Sequence, residues 1–237
     1  EFPVRRYHPQ TRLFCALLRA AALYPYYEKK GISYEVFCNT MGDITLRAVI
    51  YKEASGVYGL TAADAIWMRH HLAGKLFRLG QLQFQLFEIP PYELLEEEGY
   101  MTFSEEAKQR FPTGKPVLNV HIPAHTVLTP EECDRSFALA ESFFPRFFPE
   151  HDAKAYLCFS WLLYPRMRAL LAEDSNIARF AGRFSIIGES GDCTEALCRI
   201  YGKRYRRKAD YPRNTALQKT ARDHLSCLGE ACGIIAR

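Results

Sequence analysis

The chain has 237 residues, of which 48% are hydrophobic and 24% are charged, and its formal net charge is +4 at pH 7. This composition is typical of a globular protein and excludes a disordered chain. The length is enough to bury one substantial core or two small ones. No apolar run reaches the length of a membrane span and the first residues lack a signal-peptide pattern, so we predict a cytoplasmic protein with no membrane partner.

The chain contains eight cysteines, and no two of them form a Cys-x-x-Cys pair. This spacing does not indicate a zinc site, and we predict that the protein holds no metal. Most of the cysteines fall on apolar faces of periodic segments, in a chain large enough to fold without crosslinks. We therefore expect buried free thiols and a reducing compartment.

The first half of the chain is predicted to be rich in helices. Helices are expected over residues 11–24, where Pro25 ends the first one, over 44–54, over 61–77, and from Ser104 to Pro112. A short strand is expected over residues 33–38. Glutamines at 81, 83 and 85 alternate with apolar residues, which predicts a two-faced strand over residues 81–89. We predict a subdivision of the chain at about residue 112, after a proline-rich and acidic stretch.

Strands and helices alternate in the second half of the chain. Strands are predicted over residues 117–122, 154–161, 183–188 and 233–236. Helices are predicted from an N-cap at Thr129 to Pro145, over residues 165–171, after Ser175, over 193–201 and over 215–228. This alternation indicates an α/β or α+β fold with one mixed sheet.

Two strands of the second half carry polar residues on one face. Asn119 and His121 share a face of the first strand, and Tyr156 and Ser160 share a face of the second. If the two strands are neighbours, these four side chains line a common cleft, where they could transfer protons or bind a ligand. A structural role for a single strand histidine is the alternative. Serine hydrolase chemistry is not indicated, because Gly-x-Ser-x-Gly is absent around Ser160.

The loop over residues 124–128 leads into a helix that begins with Thr-Pro-Glu-Glu. A helix N-terminus with unpaired N–H groups is a common place to bind phosphate. Glu131 and Glu132 add negative charge there and the loop has no glycine, so a purely structural helix start is the alternative.

A basic run with one aromatic residue, Lys-Arg-Tyr-Arg-Arg-Lys, occupies residues 203–208. Such residues suit phosphate and base contacts. One short run in a nearly balanced chain is more typical of a solvated connection, so we predict no nucleic-acid partner.

Several short segments follow one another in a characteristic order: Leu79–Phe84, His121–Ala124, Cys133 with Ser136, Ser160–Pro165, Ser175–Ile177 with Phe180 and Phe184, and Tyr211–Gln218. Together they resemble the bacterial acyltransferase-domain proteins whose C-terminal half is GNAT-like, over roughly residues 13–236. The resemblance implies a mixed sheet flanked by helices, in which two parallel strands splay apart and acyl-CoA enters the gap. It implies one GNAT-like unit over 1–237, with a helix-rich half over 1–112 and an acyl-CoA-binding half over 113–237.

The same resemblance implies where CoA would bind. The backbone at Val120 and Ile122 would bind the pantetheine, and the phosphates would be contacted by His125, Thr126 and Leu128. Relatives usually carry Gly-Pro at positions 126 and 127, where this chain has Thr-Val. The family usually has a further N-terminal domain, and we expect this chain to start after it.

The implied activity is transfer of an acyl group from acyl-CoA, for which we predict acetyl-CoA, to an amine or hydroxyl of a small acceptor by direct attack. His121 would be the base or proton relay, and Ser160 or Tyr164 would orient the acceptor or protonate the thiolate. Backbone N–H groups of the strand would stabilise the oxyanion. The substrate-binding residues would be Asn119, Tyr156 and Trp161. The alternative is a GNAT-like regulatory module that binds CoA or another ligand without catalysis.

Overall fold

The fold is described from a computed structural model, over residues 6–97 and 101–236. The α-helices in these ranges are α1 (Pro9–Lys30), α2 (Tyr34–Ser55), α3 (Ala62–Trp67), α4 (Arg69–Leu72), α5 (Tyr92–Glu96), α6 (Glu105–Arg110), α7 (Pro130–Phe147), α8 (Pro165–Arg168), α9 (Asn176–Ala181), α10 (Thr194–Tyr201) and α11 (Ala216–Asp223). The strands are β1 (Leu76–Leu79), β2 (Leu82–Glu88), β3 (Thr102–Phe103), β4 (Pro116–His121), β5 (Ala155–Ser160), β6 (Ser185–Ser190) and β7 (Glu230–Ala236).

The seven strands form one mixed sheet in the order β1-β2-β4-β5-β7-β6-β3. Strands β4 and β5 are parallel, whereas the pairs β1 with β2, β5 with β7, β6 with β7, and β3 with β6 are antiparallel. The predicted fold class, a mixed sheet flanked by helices, is confirmed.

The pairing of β4 with β5 is short. Each strand has six residues, but the register covers Leu118 opposite Tyr156 and Asn119 opposite Leu157. From Cys158 to Ser160, β5 is paired with β7 at its other edge. The prediction of two parallel strands that splay apart is therefore confirmed.

Several predicted elements in the helical parts of the chain are wrong. Pro25 lies inside α1, where Leu23 and Tyr27 are buried four residues apart, and the helix ends at Gly31. The predicted strand over 33–38 is the first turn of α2, because the Ser33 side chain accepts a hydrogen bond from the Val36 N–H at 3.3 Å and caps the helix. The helix predicted over 61–77 ends at Leu72, before β1. Pro145 also lies inside its helix, α7. Burial of Tyr27 after Pro25, and of Phe148 just beyond the end of α7, offsets the backbone hydrogen bond that each proline removes.

Two compact units alternate along the chain. The first comprises the described residues up to Leu86, His121–Val127 and Glu132–His151, and the second comprises the remaining described residues. The predicted subdivision at about residue 112 stays a prediction, as does the single unit over 1–237.

In the first unit, α7 packs on one face of the β1–β2 hairpin. Phe77 pairs with Phe84 across the hairpin, and the rings of Phe143 and Phe148 lie 5.0 Å from the Phe77 ring. The hairpin turns at Gly80, whose φ of 67° favours glycine. A Cβ at Gly80 would lie 2.6 Å from the Ser136 hydroxyl, which accepts the Gln81 N–H at 2.9 Å. The other face of the hairpin carries Gln83 and Gln85.

In the second unit, one face of the sheet covers an apolar core. The buried residues that share this core are Ile89, Tyr92, Met101, Phe103, Phe111, Val117, Ala155, Leu157, Cys232 and Ile234. Strand β4 was predicted to have a polar face, but Val117, Leu118, Asn119 and Val120 are all buried. A central strand of a covered sheet is buried on both faces, so the sequence alternation did not mark an exposed side.

The eight cysteines are free, as predicted. Their expected burial is wrong for most of them, because the buried ones are Cys133, Cys158 and Cys232. Burial raises the pKa of the Cys158 thiol and of the Cys232 thiol, which makes both poor nucleophiles.

Candidate active site

His121 is the last residue of β4 and is partly exposed. Its Nε2 lies 2.8 Å from Oε1 of Gln85 on β2. Because a carbonyl oxygen only accepts, this contact places the ring proton of His121 on Nε2. The Trp67 ring at the end of α3 meets the His121 ring edge-on, with 4.8 Å between their centres. The His121 imidazole is thereby held between the side-chain amide of Gln85 and the indole of Trp67.

The Gln85 amide is shared with a second histidine. Gln85 Nε2 lies 3.0 Å from Nδ1 of His70 on α4. Gln85 is 5% exposed, so its amide has little access to water, and the two imidazoles supply its hydrogen bonds instead. His70, Gln85 and His121 therefore form a continuous hydrogen-bonded network in the first unit.

The buried carboxylate of Asp43 contacts the residues that pack against this hydrogen-bonded network. Asp43 on α2 is 1% exposed and accepts hydrogen bonds from Arg47 Nε at 2.9 Å and from Trp67 Nε1 at 3.2 Å. Arg47 also contacts Asp64 at 2.6 Å. His71 is fully buried, with Nε2 3.4 Å from Asp43 Oδ2 and 3.2 Å from Gln83 Nε2. Asp43 therefore fixes the indole that lies against His121.

Burial keeps these histidines neutral. Loss of hydration lowers the pKa of His121 to about 3, and the nearby His70 and His71 lower it further than Asp43 raises it. Burial likewise lowers the pKa of His71 to about 4, and it lowers the pKa of His70. A neutral imidazole has a lone pair, so His121 is in the form that accepts a proton at neutral pH.

Folding is coupled to pH through His71. Its pKa is about 4 in the folded protein against 6.5 for an ordinary histidine, so the unfolded chain binds a proton first as the pH falls. We expect the free energy of unfolding to decrease from about pH 6.5 to about pH 4, with His71 contributing up to about 1.4 kcal/mol per pH unit.

Urea unfolding across this pH window measures the effect in the wild type and in His71→Gln. The variant should lose less stability over the window, while His224→Gln, at an exposed histidine, should follow the wild type. An identical pH slope in all three proteins would contradict the coupling.

The cleft predicted from β4 and β5 does not form as expected. The register sets Asn119 beside Leu157 and Leu118 beside Tyr156, and paired neighbours share a face. Tyr156 and Ser160 therefore lie on the sheet face opposite to Asn119, and the grouping of these side chains in one cleft is wrong. The Asn119 side chain is buried, and its Oδ1 has no hydrogen-bond partner among the described residues.

The residues after β5 make local contacts. The Ser160 hydroxyl is buried and accepts the Leu162 N–H at 3.2 Å, which caps the short 3₁₀ helix Trp161–Leu163. Tyr164 is buried against Gly229, where a Cβ would lie 2.6 Å from its ring. Trp161 is partly exposed. The catalytic and binding roles predicted for these residues stay predictions.

The loop between β4 and α7 has a left-handed residue. His125 is exposed with a φ of 61°, a conformation that glycine adopts easily and that histidine tolerates better than most residues. Thr126 donates its hydroxyl hydrogen to the Pro123 carbonyl at 2.6 Å, and the Val127 N–H donates to Gln81 Oε1 at 3.4 Å. Hydrogen bonds thus order this loop without a glycine.

Residues 76–235 match the GNAT-like C-terminal domain family, and residues 3–74 match the N-acyltransferase N-terminal domain family. The chain belongs to the GNAT-like C-terminal domain family. The predicted family resemblance is confirmed.

Solved acyltransferase structures resemble this GNAT-like protein. One, in complex with decanoyl-CoA and teicoplanin, has 26% identity and a TM-score of 0.74, and the match covers 93% of this chain and 64% of that chain. A mutant in complex with octanoyl-CoA has 25% identity and a TM-score of 0.76, with 95% and 65% covered. The chain therefore spans less than two thirds of the length of these structures. No curated protein matches it.

Sequence reasoning on this GNAT-like protein selected His121 as a candidate but did not select the residues that contact it. Gln85 belongs to the alternation of glutamines that predicts β2, but this alternation does not by itself indicate a function. His70 and Trp67 lay inside a predicted helix without a functional signal. Asp43 is not part of any local sequence motif, so the sequence alone does not mark it as a candidate. All four lie far from residue 121 in sequence.

The second unit contains a basic cavity of about 560 Å³. It is lined by Cys193, Leu197, Arg204, Tyr205, Arg206, Lys208, Tyr211 and Leu225. Part of the basic run has protein partners, since Arg207 contacts Asp210 at 2.9 Å and Lys208 donates to the Asp223 carbonyl at 3.0 Å. These contacts give the run a structural role, and the absence of a nucleic-acid partner stays a prediction.

Two general features concern metals and membranes. Over residues 6–97 and 101–236, no group of three or more His, Cys, Asp or Glu side chains has the arrangement of a metal site. None of the helices in these ranges has the length and apolarity that a membrane crossing requires.

Proposed function

We propose that this GNAT-like protein transfers an acyl group from acyl-CoA to an amine or hydroxyl of a small molecule. The observation that carries the proposal is a neutral, partly exposed His121 at the end of β4, the strand that separates from its parallel neighbour β5 after two residue pairs. The similarity to acyltransferases solved with decanoyl-CoA and octanoyl-CoA supports an acyl-CoA donor.

The reaction is a direct attack without a covalent enzyme intermediate. The acceptor nitrogen or oxygen bonds to the thioester carbonyl carbon while His121 takes its proton. The carbonyl oxygen becomes an oxyanion that backbone N–H groups of β4 stabilise. The C–S bond then breaks, and the CoA thiolate receives a proton, for which we assign Tyr164 as the donor; Ser160, whose hydroxyl caps the helix that follows β5, is not assigned to this step. Its low pKa makes His121 a weak base, so we expect a negative group of the bound substrates to raise that pKa.

We assign the CoA contacts to the separated strands and to the loop after β4. Val120 and Ile122 present their backbone to the pantetheine, and the phosphates are contacted by His125, Thr126 and Leu128. The unpartnered Oδ1 of the buried Asn119 is available to a pantetheine amide N–H, which would satisfy both groups. Trp161, which is partly exposed, is assigned to acceptor binding, whereas Tyr156 is buried on the opposite face of the sheet.

We propose the chemical class of the acyl donor and of the acceptor. Acetyl-CoA is the donor we predicted, whereas the similar structures hold decanoyl-CoA and octanoyl-CoA, so both short and medium acyl chains belong in the assay. One similar structure contains teicoplanin, which makes a glycopeptide a reasonable member of an acceptor panel. We also propose a bacterial origin and a cytoplasmic location, which suits eight free thiols.

Calorimetry with CoA, acetyl-CoA and decanoyl-CoA tests the proposal before any acceptor is known. We expect at least one of them to bind with a Kd below about 1 mM, which corresponds to roughly 4 kcal/mol of binding free energy. Release of free CoA thiol with an acceptor panel then tests transfer. Absence of binding to all three ligands would overturn the proposal. Binding without transfer to any acceptor would favour the regulatory module.

A further inference from the structure

The two ends of the Gln85 amide face different histidines. Its Oε1 lies 2.8 Å from Nε2 of His121, and its Nε2 lies 3.0 Å from Nδ1 of His70. A side-chain amide has a fixed acceptor end and a fixed donor end. It therefore dictates which ring nitrogen of each neighbour carries the proton. For His121 that nitrogen is Nε2, and the lone pair is left on Nδ1.

We propose that Gln85 is a positioning residue that holds His121 in the Nε2–H tautomer, so that Nδ1 is the atom that takes the proton of the acceptor. This inference rests on the proposed function of His121 as the base. It adds an assignment of the basic atom and of the residue that selects it. In the Nδ1–H tautomer, the same histidine would donate a hydrogen bond and could not accept a proton at that atom.

The surroundings of His121 support a fixed ring. The Trp67 ring lies 4.8 Å from the His121 ring and 5.4 Å from the His70 ring, and its Nε1 donates to the buried Asp43 at 3.2 Å. An indole fixed in this way limits rotation of both imidazoles. The charged or titratable groups that influence His121 are His70, His71 and Asp43, and burial keeps the histidines neutral.

One contact argues for the opposite orientation of the amide. Arg69 Nε lies 3.3 Å from His70 Nε2, and this hydrogen bond would need a lone pair on Nε2. With that lone pair, His70 would carry its proton on Nδ1 and the amide oxygen would face His70. The Arg69 contact is longer than the Gln85 contact and is exposed, so water can replace it. Both amide orientations keep the two Gln85 contacts, and the orientation with Oε1 on His121 gives up one exposed contact that water can replace.

Long-range ¹H–¹⁵N NMR of the wild-type protein reads the tautomer directly. We expect Nε2 of His121 to have the chemical shift of a protonated nitrogen and Nδ1 that of an unprotonated one. Gln85→Glu keeps an oxygen acceptor for His121 and should keep this tautomer. Gln85→Leu removes the acceptor, and we expect a mixture of tautomers and a kcat lower by roughly 10-fold to 100-fold, with KM for acyl-CoA within about twofold.

Gln83→Leu is the matched control, because Gln83 lies on the same face of β2, is also buried, and contacts His71 rather than His121. It should leave the His121 tautomer unchanged. An Nδ1–H tautomer in the wild type, or an unchanged tautomer and kcat in folded Gln85→Leu, would overturn the inference. The proposed function fails separately, through absence of transfer or through unchanged turnover of a His121 variant.

Discussion

Replacing His121 by Ala is expected to lower kcat for acyl transfer by on the order of 100-fold to 10,000-fold. The His121 side chain is the partly exposed end of its hydrogen-bonded network with Gln85 and His70. Its lone pair is free at neutral pH, because burial lowers the pKa of His121 to about 3. In the proposed mechanism, the acceptor of this variant must lose its proton to water. We expect the Kd for acyl-CoA to change little, because the proposed partner of the imidazole is the acceptor.

The comparison needs another histidine that has no role in the reaction. His224 is exposed and follows α11, so His224→Ala should retain full activity. Initial rates at saturating acyl-CoA, together with calorimetric Kd values, separate turnover from donor binding. Turnover of His121→Ala equal to that of the wild type would remove His121 from the mechanism and leave donor binding as the function to explain.

Replacing Asp43 by Ala is expected to destabilise the protein by about 3 kcal/mol or more, because the loss of one partner leaves buried charge and donors uncompensated. The carboxylate accepts hydrogen bonds from Arg47 and Trp67 and lies 3.4 Å from His71. Arg47 keeps its contact with Asp64, which places the expected loss at the lower end of the range for buried ion pairs. The Trp67 N–H loses its acceptor altogether.

Urea unfolding of Asp43→Ala against Glu195→Ala measures this effect. Glu195 pairs with Arg199 at 2.7 Å, but both side chains are about half exposed, so the exposed pair should contribute less than about 1 kcal/mol. Equal losses in the two variants would show that the buried carboxylate has no special role. A second readout is the fluorescence of Trp67, which should change in Asp43→Ala even under conditions in which the variant is folded.

Much of the sheet was predictable because its signals are local. The alternation of polar and apolar residues in β2, β4 and β5 and the Thr-Pro-Glu-Glu start of α7 each lie within a few consecutive residues. The strand predicted over 33–38 failed for the same reason. A short segment with aromatic and β-branched residues also fits the start of a helix, and the cap at Ser33 decides the outcome.

The candidate site was predictable only in part, because its contacts join distant segments. His121 was chosen from its place on β4, but Gln85 and His70 reach it only once β2, α4 and the end of β4 are folded. The error in the predicted cleft has a simple cause. Side chains alternate with a period of two, so setting Asn119 beside Leu157 rather than Tyr156 reverses the face of every residue on β5.

The left-handed backbone at His125 has a consequence for ligand entry. A glycine there would adopt the same φ without strain, but it would also leave the loop many other conformations in the free protein. Histidine costs roughly 1 kcal/mol in strain, and it narrows the set of conformations that the loop samples before a ligand arrives. A molecule that binds at this loop therefore meets a preorganised backbone and loses less conformational entropy on association.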